Sequence, residues 1–327
     1  MPRQPDSIFL HLGHNKTGST FQQSALAYSA PTLLEHGIFY PLEPKKAKSA
    51  QKGDIVGPNL GPRPGQVAQL AQLEYPDAAS RILFSGEGLF FELCRSEDRV
   101  INDLREAYPG ADLNVLLYLR DPVDHVVSFY HQRVKNGYTG TLGDRMANYS
   151  IPQKVIKVLS ILKAAGAKVT VLNYSRHRDT LLNTMETWLS IPAGTLKTPV
   201  ETRVNRSLTN AEVELQRAFN RLLGDEANAL VSGPLTLNLP DIRSDTPPLS
   251  REDLAGFLDA MHEKLENPEF ESLVPEAERP WIGTLEDHAD RFPAPEDNPA
   301  LCFSRDQIDV FAKAIVKQLR KAQNRTS

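Results

Sequence analysis

Short apolar runs alternate with helical patterns along the chain as far as Pro192. Between the runs, apolar residues spaced three and four apart predict amphipathic helices at 100–107, 155–162 and 181–189. This alternation predicts an α/β fold, a doubly wound parallel sheet flanked by helices that binds ligands at the carboxyl ends of its strands. The runs rich in Ile, Leu, Val or Phe, which we predict to be the buried strands, are Ile8–Leu12, Arg81–Ser85, Asn114–Leu119 and Lys168–Leu172.

After Pro192 the pattern becomes mainly helical and irregular. Capping boxes at Thr209–Glu212 and Ser304–Gln307 predict the starts of two helices. The first should turn Leu215, Phe219, Leu222 and Leu223 inward, and the second should place Ile308, Phe311, Ile315 and Leu319 on one stripe. Segments rich in proline, at 41–64, 232–250 and 267–299, predict loops. We expect a single domain over residues 1–327, with a core at about 7–225 and a C-terminal extension at about 226–327.

Net charge, the length of apolar runs and the cysteine spacing exclude several classes of function. The net charge is −4, so the chain as a whole does not look like a nucleic-acid binder, and any anion site must be built locally. No apolar run approaches the ~20 residues that span a bilayer, and the start of the chain lacks a secretory pattern. We therefore expect a cytoplasmic protein without a membrane segment. Cys94 and Cys302 show no metal-ligand spacing, and we expect no metal.

The segment from Ile8 to Gln23 reads as a strand, a tight turn and a helix. Small residues in the turn let several backbone N–H groups point at one anion, and the helix adds its positive pole. Lys16 supplies a full charge, and hydroxyl donors come from Thr17, Ser19 and Thr20. The order differs from a Walker A loop, since Ser19 stands where that motif needs lysine after Gly18.

A second motif joins the third predicted strand to a helix. Arg120 ends the strand Asn114–Leu119, Pro122 suits the first helical position, and Ser128 lies about two turns into the helix. Arginine and serine in these places suit a phosphate, because the guanidinium meets phosphate oxygens in pairs. Alternatively, Arg120 pairs with Asp121 or Asp124, and Ser128 is an ordinary helix residue.

Together and in this order, the two motifs resemble those of the sulfotransferases that use 3′-phosphoadenosine 5′-phosphosulfate (PAPS). The resemblance covers about residues 8–210 and implies a P-loop-like fold. It implies that Lys16, Thr17, Gly18, Ser19 and Thr20 form the 5′-phosphosulfate loop, with Asn15 where the family often has proline. It also implies that Arg120 and Ser128 hold the 3′-phosphate. Val169–Tyr174 followed by Leu181–Ile191 resembles the family's later strand, tyrosine and helix, and Asn205, Arg206 and Ser207 resemble a donor-contacting loop.

The resemblance implies that Lys16 stabilises the leaving phosphate. The acceptor hydroxyl or amine needs a base, for which we choose Glu87 because it follows the strand Arg81–Ser85 and should reach the same sheet edge. His14, inside the loop, is the rival base. A carbohydrate is the expected acceptor, with a lipid or small metabolite as the alternative. Two other functions stay open: a P-loop nucleotide-dependent kinase and a non-catalytic nucleotide-binding module.

Overall fold

The computed structural model describes residues 4–59, 61, 70, 73, 75–200, 206–288, 290–296 and 300–326. These residues fall into two compact units, each assembled from separate stretches of chain. The expected single domain, with its boundary at about residue 225, stays a prediction. The sheet unit draws on Met1–Asp121, Ser150–Thr202 and Glu263–Trp281, and the helical unit draws on Pro122–Tyr149, Arg203–His262 and Ile282–Ser327.

A parallel five-stranded sheet forms the centre of the sheet unit. Its order is β2-β3-β1-β4-β5, so the first strand lies between the third and the fourth. The α/β class and all four predicted strands are confirmed. The strands are β1 (Ser7–Gly13), β2 (Ile38–Phe39), β3 (Arg81–Ser85), β4 (Asp112–Leu119) and β5 (Lys168–Asn173).

Helices surround the sheet and make up most of the helical unit. In chain order they are α1 (Ser19–Tyr28), α2 (Ala30–Glu35), α3 (Pro44–Gln51), α4 (Glu87–Ser96), α5 (Arg99–Ala107), α6 (Pro122–Lys135), α7 (Leu142–Ala147), α8 (Ile151–Ala164), α9 (Tyr174–His177), α10 (Leu181–Leu189), α11 (Asn210–Leu223), α12 (Ser232–Asn238), α13 (Arg251–Leu265), α14 (Pro268–Leu273), α15 (Leu285–His288) and α16 (Arg305–Thr326), with 3-10 turns at Gly224–Ala229 and Glu276–Glu278.

One apolar cluster joins the central strands to α1 and α10. Phe9 and Tyr118 lie in it with Met185, which is fully buried. Burying side chains of this size contributes about 1.5–3 kcal/mol each relative to exposure. The cluster therefore holds the start of α1 and the strand ends in fixed positions, which is what a site at the sheet edge requires.

The inner face of α11 differs from the expectation. Leu222 and Leu223 are exposed, at 82% and 41%, so the prediction that they turn inward is wrong. Polar residues take the inner positions because they satisfy backbone groups of neighbouring segments. Asn220 donates to the carbonyl oxygens of Val134 and Tyr138, and Gln216 accepts from the Ser232 N–H.

Several short elements were not predicted. The strand β2 has two residues, too few for a periodic signal. Pro44 opens α3 inside the segment expected to be a loop, because proline is tolerated in the first helical turn. Ser232 opens α12, and Pro268 and Leu285 open α14 and α15, in segments that were expected to be irregular. Within the described part of the chain, no helix combines the length and apolarity needed to cross a membrane.

Candidate functional site

The turn between β1 and α1, which we call loop 14–18, has an unusual backbone. Asn15 and Lys16 have positive φ angles of 27° and 60°, and Gly18 has φ 74° as the residue before α1. Residues other than glycine adopt this region at a cost of about 1–3 kcal/mol each, and they do so mainly at functional sites. The loop is thus held in a costly conformation at the N-terminus of a helix, where anions bind.

Two hydroxyl groups are packed against Gly13, at the end of β1. A Cβ atom at Gly13 would lie 2.5 Å from Ser19 Oγ and 2.8 Å from Thr17 Oγ1, and these two oxygens are 3.4 Å apart. Both side chains are buried. Glycine is required here by the close approach of the hydroxyls, which lie over the backbone of the turn. Thr20, the last hydroxyl residue predicted for this site, is exposed on α1.

Gly18 is enclosed by the segment that follows β5. A Cβ atom at Gly18 would lie 2.8 Å from Tyr174 Cε2 and 2.8 Å from Leu181 Cδ1. The positive φ and this enclosure both exclude a side chain. Loop 14–18 is therefore shaped from both sides, by the hydroxyls of Thr17 and Ser19 and by the ring of Tyr174.

Arg120 reaches the same loop from the end of β4. Its Nη1 donates to the Lys16 carbonyl oxygen at 2.8 Å, and its guanidinium lies over the Tyr174 ring, 5.3 Å from the centroid. Lys16 and Arg120, predicted from separate motifs, are thus brought together at one edge of the sheet. Their charges repel each other, which makes the site favourable for an anion.

Burial lowers the pKa of Lys16. The Glu87 carboxylate opposes this shift, while the Arg120 charge adds to it. An ammonium group held next to a second cation, with part of its hydration removed, gains more from an incoming anion than a solvated lysine does. Lys16 therefore has the environment of a ligand-binding residue.

Glu87 comes from the other neighbour of β1, as the first residue of α4 after β3. Burial raises the pKa of its carboxyl group, and two groups oppose the shift: a hydrogen bond from the Ser19 side chain and the charge of Lys16. The predicted base thus lies at loop 14–18, as expected from strand order. A raised pKa suits a carboxylate that accepts a proton near neutral pH.

His14 has a different environment from Glu87. It is 1% exposed, its ring packs against Phe90, and burial lowers its pKa to about 3. A backbone hydrogen bond opposes the shift and the charge of Arg120 increases it. The imidazole is neutral at physiological pH and binds a proton weakly, which favours Glu87 over His14 as the base. His11, the preceding histidine on β1, packs in the core, where its Nδ1 lies 2.7 Å from Ser85 Oγ.

Asn59 is a positioning residue that the sequence did not reveal. Its Nδ2 donates to the Leu83 carbonyl oxygen at 2.8 Å, and its Oδ1 accepts from the Ser85 N–H at 2.9 Å. Both bonds fix the end of β3, just before Glu87. Asn59 stands in a stretch rich in glycine and proline, where no pattern distinguishes it from its neighbours.

The remaining predicted donor contacts belong to the helical unit. Ser128 is half-buried on α6, and Ser207 accepts from Arg206 Nη1 through its carbonyl oxygen. The Arg206 side chain is 7% exposed, and its guanidinium donates to both carboxylate oxygens of Glu212 at 2.7 Å, while its Nε donates to the Leu239 carbonyl oxygen. A donor contact by Arg206 would break this buried pair, so the pair gives Arg206 a structural role. Asn205 lies outside the described residues.

The sequence matches no protein-family model and is not significantly similar to any curated protein. What the site does must therefore follow from its own residues. In the sheet unit these are a lysine, an arginine, two buried hydroxyls and a helix N-terminus around one loop, with a carboxylate of raised pKa beside them.

Proposed function

We propose that this chain is a sulfotransferase that moves a sulfuryl group from PAPS to an acceptor hydroxyl or amine. The observation that carries the proposal is the meeting of Lys16, Glu87 and Arg120 at loop 14–18, since each follows a different strand. A phosphosulfate needs cations and hydroxyl donors, and the acceptor needs a base. The three residues supply both within one site.

The strand order supports a P-loop-like fold for the donor site. The loop follows β1, which is the central strand, and its neighbours β3 and β4 end at the same edge. In parallel sheets, ligands bind at this edge where the strand order changes direction. Lysine precedes Gly18 in loop 14–18, whereas nucleoside triphosphate sites place it after the glycine. This difference favours a phosphosulfate over a triphosphate with Mg²⁺.

Each group has a defined role in binding the donor. The backbone N–H groups at the start of α1 and the hydroxyls of Thr17 and Ser19 bind the 5′-phosphosulfate. Lys16 donates to the oxygen that bridges phosphorus and sulfur. Arg120 holds the loop through the Lys16 carbonyl and contributes charge for the 3′-phosphate.

The reaction is an in-line displacement at sulfur. Glu87 accepts the proton of the acceptor O–H or N–H, and the acceptor atom forms a bond to sulfur. The bond between sulfur and the bridging oxygen breaks, and its electron pair stays on the phosphate. Lys16 neutralises this developing charge, an effect worth about 10²- to 10³-fold in rate for one well-placed donor. The products are the sulfated acceptor and adenosine 3′,5′-bisphosphate, and we propose a carbohydrate as the acceptor.

A ligand comparison tests the proposed donor. We expect adenosine 3′,5′-bisphosphate to raise the melting temperature of the protein more than ATP with Mg²⁺ does, because binding to the folded state stabilises it. A larger shift with ATP and Mg²⁺ would instead identify a kinase-like site. If neither nucleotide shifts the melting temperature, the enzyme proposal fails in favour of a module without nucleotide chemistry.

Two substitutions separate chemistry from binding. Lys16→Ala should lower kcat by about 10²- to 10³-fold with a modest loss of donor affinity. Arg120→Ala should mainly raise the Kd for adenosine 3′,5′-bisphosphate, by about 10- to 100-fold for a charged contact. Turnover is measured with labelled PAPS and a panel of carbohydrate acceptors.

Exposed residues of the same type provide controls for both substitutions. Lys45→Ala on α3 and Arg99→Ala on α5 should leave turnover and affinity unchanged. Normal turnover in both site variants would show that the site is wrongly assigned.

A further inference from the structure

Glu87 already holds the groups that an anion would use in loop 14–18. The backbone brings Glu87 to this loop, because the Gly86 N–H donates to the His11 carbonyl oxygen of β1 at 3.2 Å. There the Ser19 side chain is hydrogen-bonded to the Glu87 carboxylate, and the charge of Lys16 favours the ionised form of Glu87. Ser19 in turn lies against Gly13 and beside Thr17. A carboxylate therefore lies beside the Ser19 hydroxyl, on the first residue of α1, and within the field of the Lys16 ammonium group.

We propose that the Glu87 carboxylate is the resident anion of loop 14–18 and that a sulfate or phosphate group binds by displacing it. Ser19 and Lys16 cannot serve two anions at once without strong repulsion between them. The incoming group therefore turns Glu87 away from Ser19 or leaves Glu87 protonated. For inorganic sulfate this inference stands alone, and its extension to PAPS rests on the proposed function.

The surroundings of Glu87 allow this displacement. Gly86, just before it, has an extended backbone, and Gly88, just after it, is exposed, with no atom within 4 Å of the position that a Cβ would take. The Glu87 side chain itself is only half-buried. The open space at Gly88 and the partial exposure of the Glu87 side chain leave room for the carboxylate to turn away from the loop.

Displacement couples anion binding to protonation of Glu87. A bound dianion replaces the favourable contact with Lys16 by repulsion, so the pKa of Glu87 is higher in the complex than in the free protein. Below the free pKa the group is neutral in both states, and affinity is highest. Between the free and the bound pKa, binding takes up a proton, and affinity falls by up to about tenfold per pH unit.

The same group should act in the opposite direction on the chemical step. Proton transfer from the acceptor requires ionised Glu87, so kcat rises with pH while donor affinity falls. One residue thus sets a compromise between holding the donor and activating the acceptor. Replacing Glu87 should remove both pH dependences together.

Other charged groups near α4 do not produce this pattern. His14 packs against Phe90 and has a pKa of about 3, which lies below the range in question. At the outer side of the helix, Lys154 lies over Phe91, and Lys157 is 3.9 Å from Glu97. Within the site, Lys16 faces Glu87 directly, and Arg120 acts from the end of β4 through its contact with Lys16.

Sulfate titration tests the displacement, because sulfate remains a dianion throughout the range. Affinity is measured calorimetrically, with sodium chloride at matched ionic strength as the reference. In the natural protein, sulfate affinity should fall as pH rises through the pKa of Glu87. Glu87→Gln should bind sulfate at least about tenfold more tightly at neutral pH, with little pH dependence. Glu92→Gln should match the natural protein, since Glu92 lies on the same helix but pairs with Arg95.

Equal sulfate affinity in Glu87→Gln and the natural protein would overturn the proposal. If Glu87→Gln does not fold, the pH series of the natural protein decides alone, and a flat series overturns the proposal as well. Adenosine 3′,5′-bisphosphate is then titrated in the same way. Failure of this nucleotide to bind, while sulfate behaves as expected, would contradict the proposed function and leave the displacement intact.

Discussion

At the scale of single residues, loop 14–18 depends on the backbone of Gly18 as much as on its charged neighbours. Gly18 combines a positive φ with two side-chain atoms 2.8 Å from the position of a Cβ. Lys16 adopts positive φ where Arg120 holds its carbonyl oxygen and the Glu87 charge attracts its ammonium group. The functional groups of the loop thus help to hold the backbone conformation that presents them.

Gly18→Ala should disable the loop. The positive φ costs about 1–3 kcal/mol for a residue with a Cβ, and the contacts with Tyr174 and Leu181 add to that cost. We expect a lower free energy of unfolding in urea and at least tenfold weaker sulfate binding, a rough scale for one lost charged contact. Gly256→Ala on α13 is the control, since a Cβ there meets no atom within 4 Å and the residue is not part of the anion site. Sulfate binding of natural strength in Gly18→Ala would mean that the loop is not the anion site.

At the scale of elements, the sequence predicted those parts whose apolar pattern is long enough to read. The runs at Ile8–Leu12 and Asn114–Leu119 are buried strands, as expected. Two-residue β2 carries no period, and α3 begins at a proline inside a polar stretch. For α11 the helix was right, but Leu222 and Leu223 are exposed, because buried amides that satisfy backbone groups of other segments take the inner positions. Helical periodicity reflects only the spacing of apolar residues, so it does not reveal polar side chains that are buried because they hydrogen-bond to the backbone of other segments.

The sequence predicted the candidate site about as completely as it predicted the helices and strands. Parallel strand ends share one edge, so residues after β1, β3 and β4 were expected to meet, and Lys16, Glu87 and Arg120 do. The partners that complete the geometry come from outside these motifs. Asn59 fixes the end of β3 from a loop, and such a contact depends on the tertiary fold alone.

In the helical unit, α11 is stabilised by a buried ion pair at its capping box. Glu212 is fully buried and accepts from Arg206, from Gln307 Nε2 at 2.7 Å and from the Thr209 N–H at 2.9 Å. Burial opposes ionisation, yet these donors bring the pKa of Glu212 below its ordinary value. The contribution to stability is therefore present above the unfolded pKa and is lost as pH falls through the folded pKa.

Glu212→Gln should lower the free energy of unfolding by about 3–5 kcal/mol, because it leaves the Arg206 charge buried without its partner. Urea denaturation measures the change. Glu214→Gln, on the same helix and part of the Arg217 pair, should cost less than about 1 kcal/mol because its side chain is more exposed. Similar losses of unfolding free energy in the two variants would show that the hydrogen bonds of Glu212 contribute no more to stability than the Glu214 pair does.

At the scale of the whole molecule, the chain is acidic while its candidate site is cationic. The net charge is −4, and the pI is about 6.1. Long-range attraction from the protein as a whole does not bring an anion to loop 14–18, so affinity must come from the local groups and their desolvation. High ionic strength should then weaken anion binding less than it would at a broad basic surface.

Two buried histidines link the stability of the molecule to pH. Burial lowers the pKa of His11 to about 4 and that of His14 to about 3, while both titrate near 6.5 when unfolded. Their stabilising effect is complete above the unfolded pKa and is lost as pH falls toward the folded pKa. Each contributes a slope of about 1.4 kcal/mol per pH unit. Glu87 has a raised pKa and therefore binds its proton more tightly in the folded state. It reduces this pH slope by the effect of at most one proton.

The free energy of unfolding should therefore fall by about 1.4–2.7 kcal/mol per pH unit between about pH 6 and pH 5, where ordinary carboxylates are still ionised in both states. Urea denaturation at a series of pH values gives the slope directly. His14→Gln should reduce the slope by about 1.4 kcal/mol per pH unit whatever it does to absolute stability, and His262→Gln, at an exposed position, should leave it unchanged. A flat profile in the natural protein would mean that the two imidazoles take up protons in the folded state. In that case His14 would again be a candidate for the base beside Lys16.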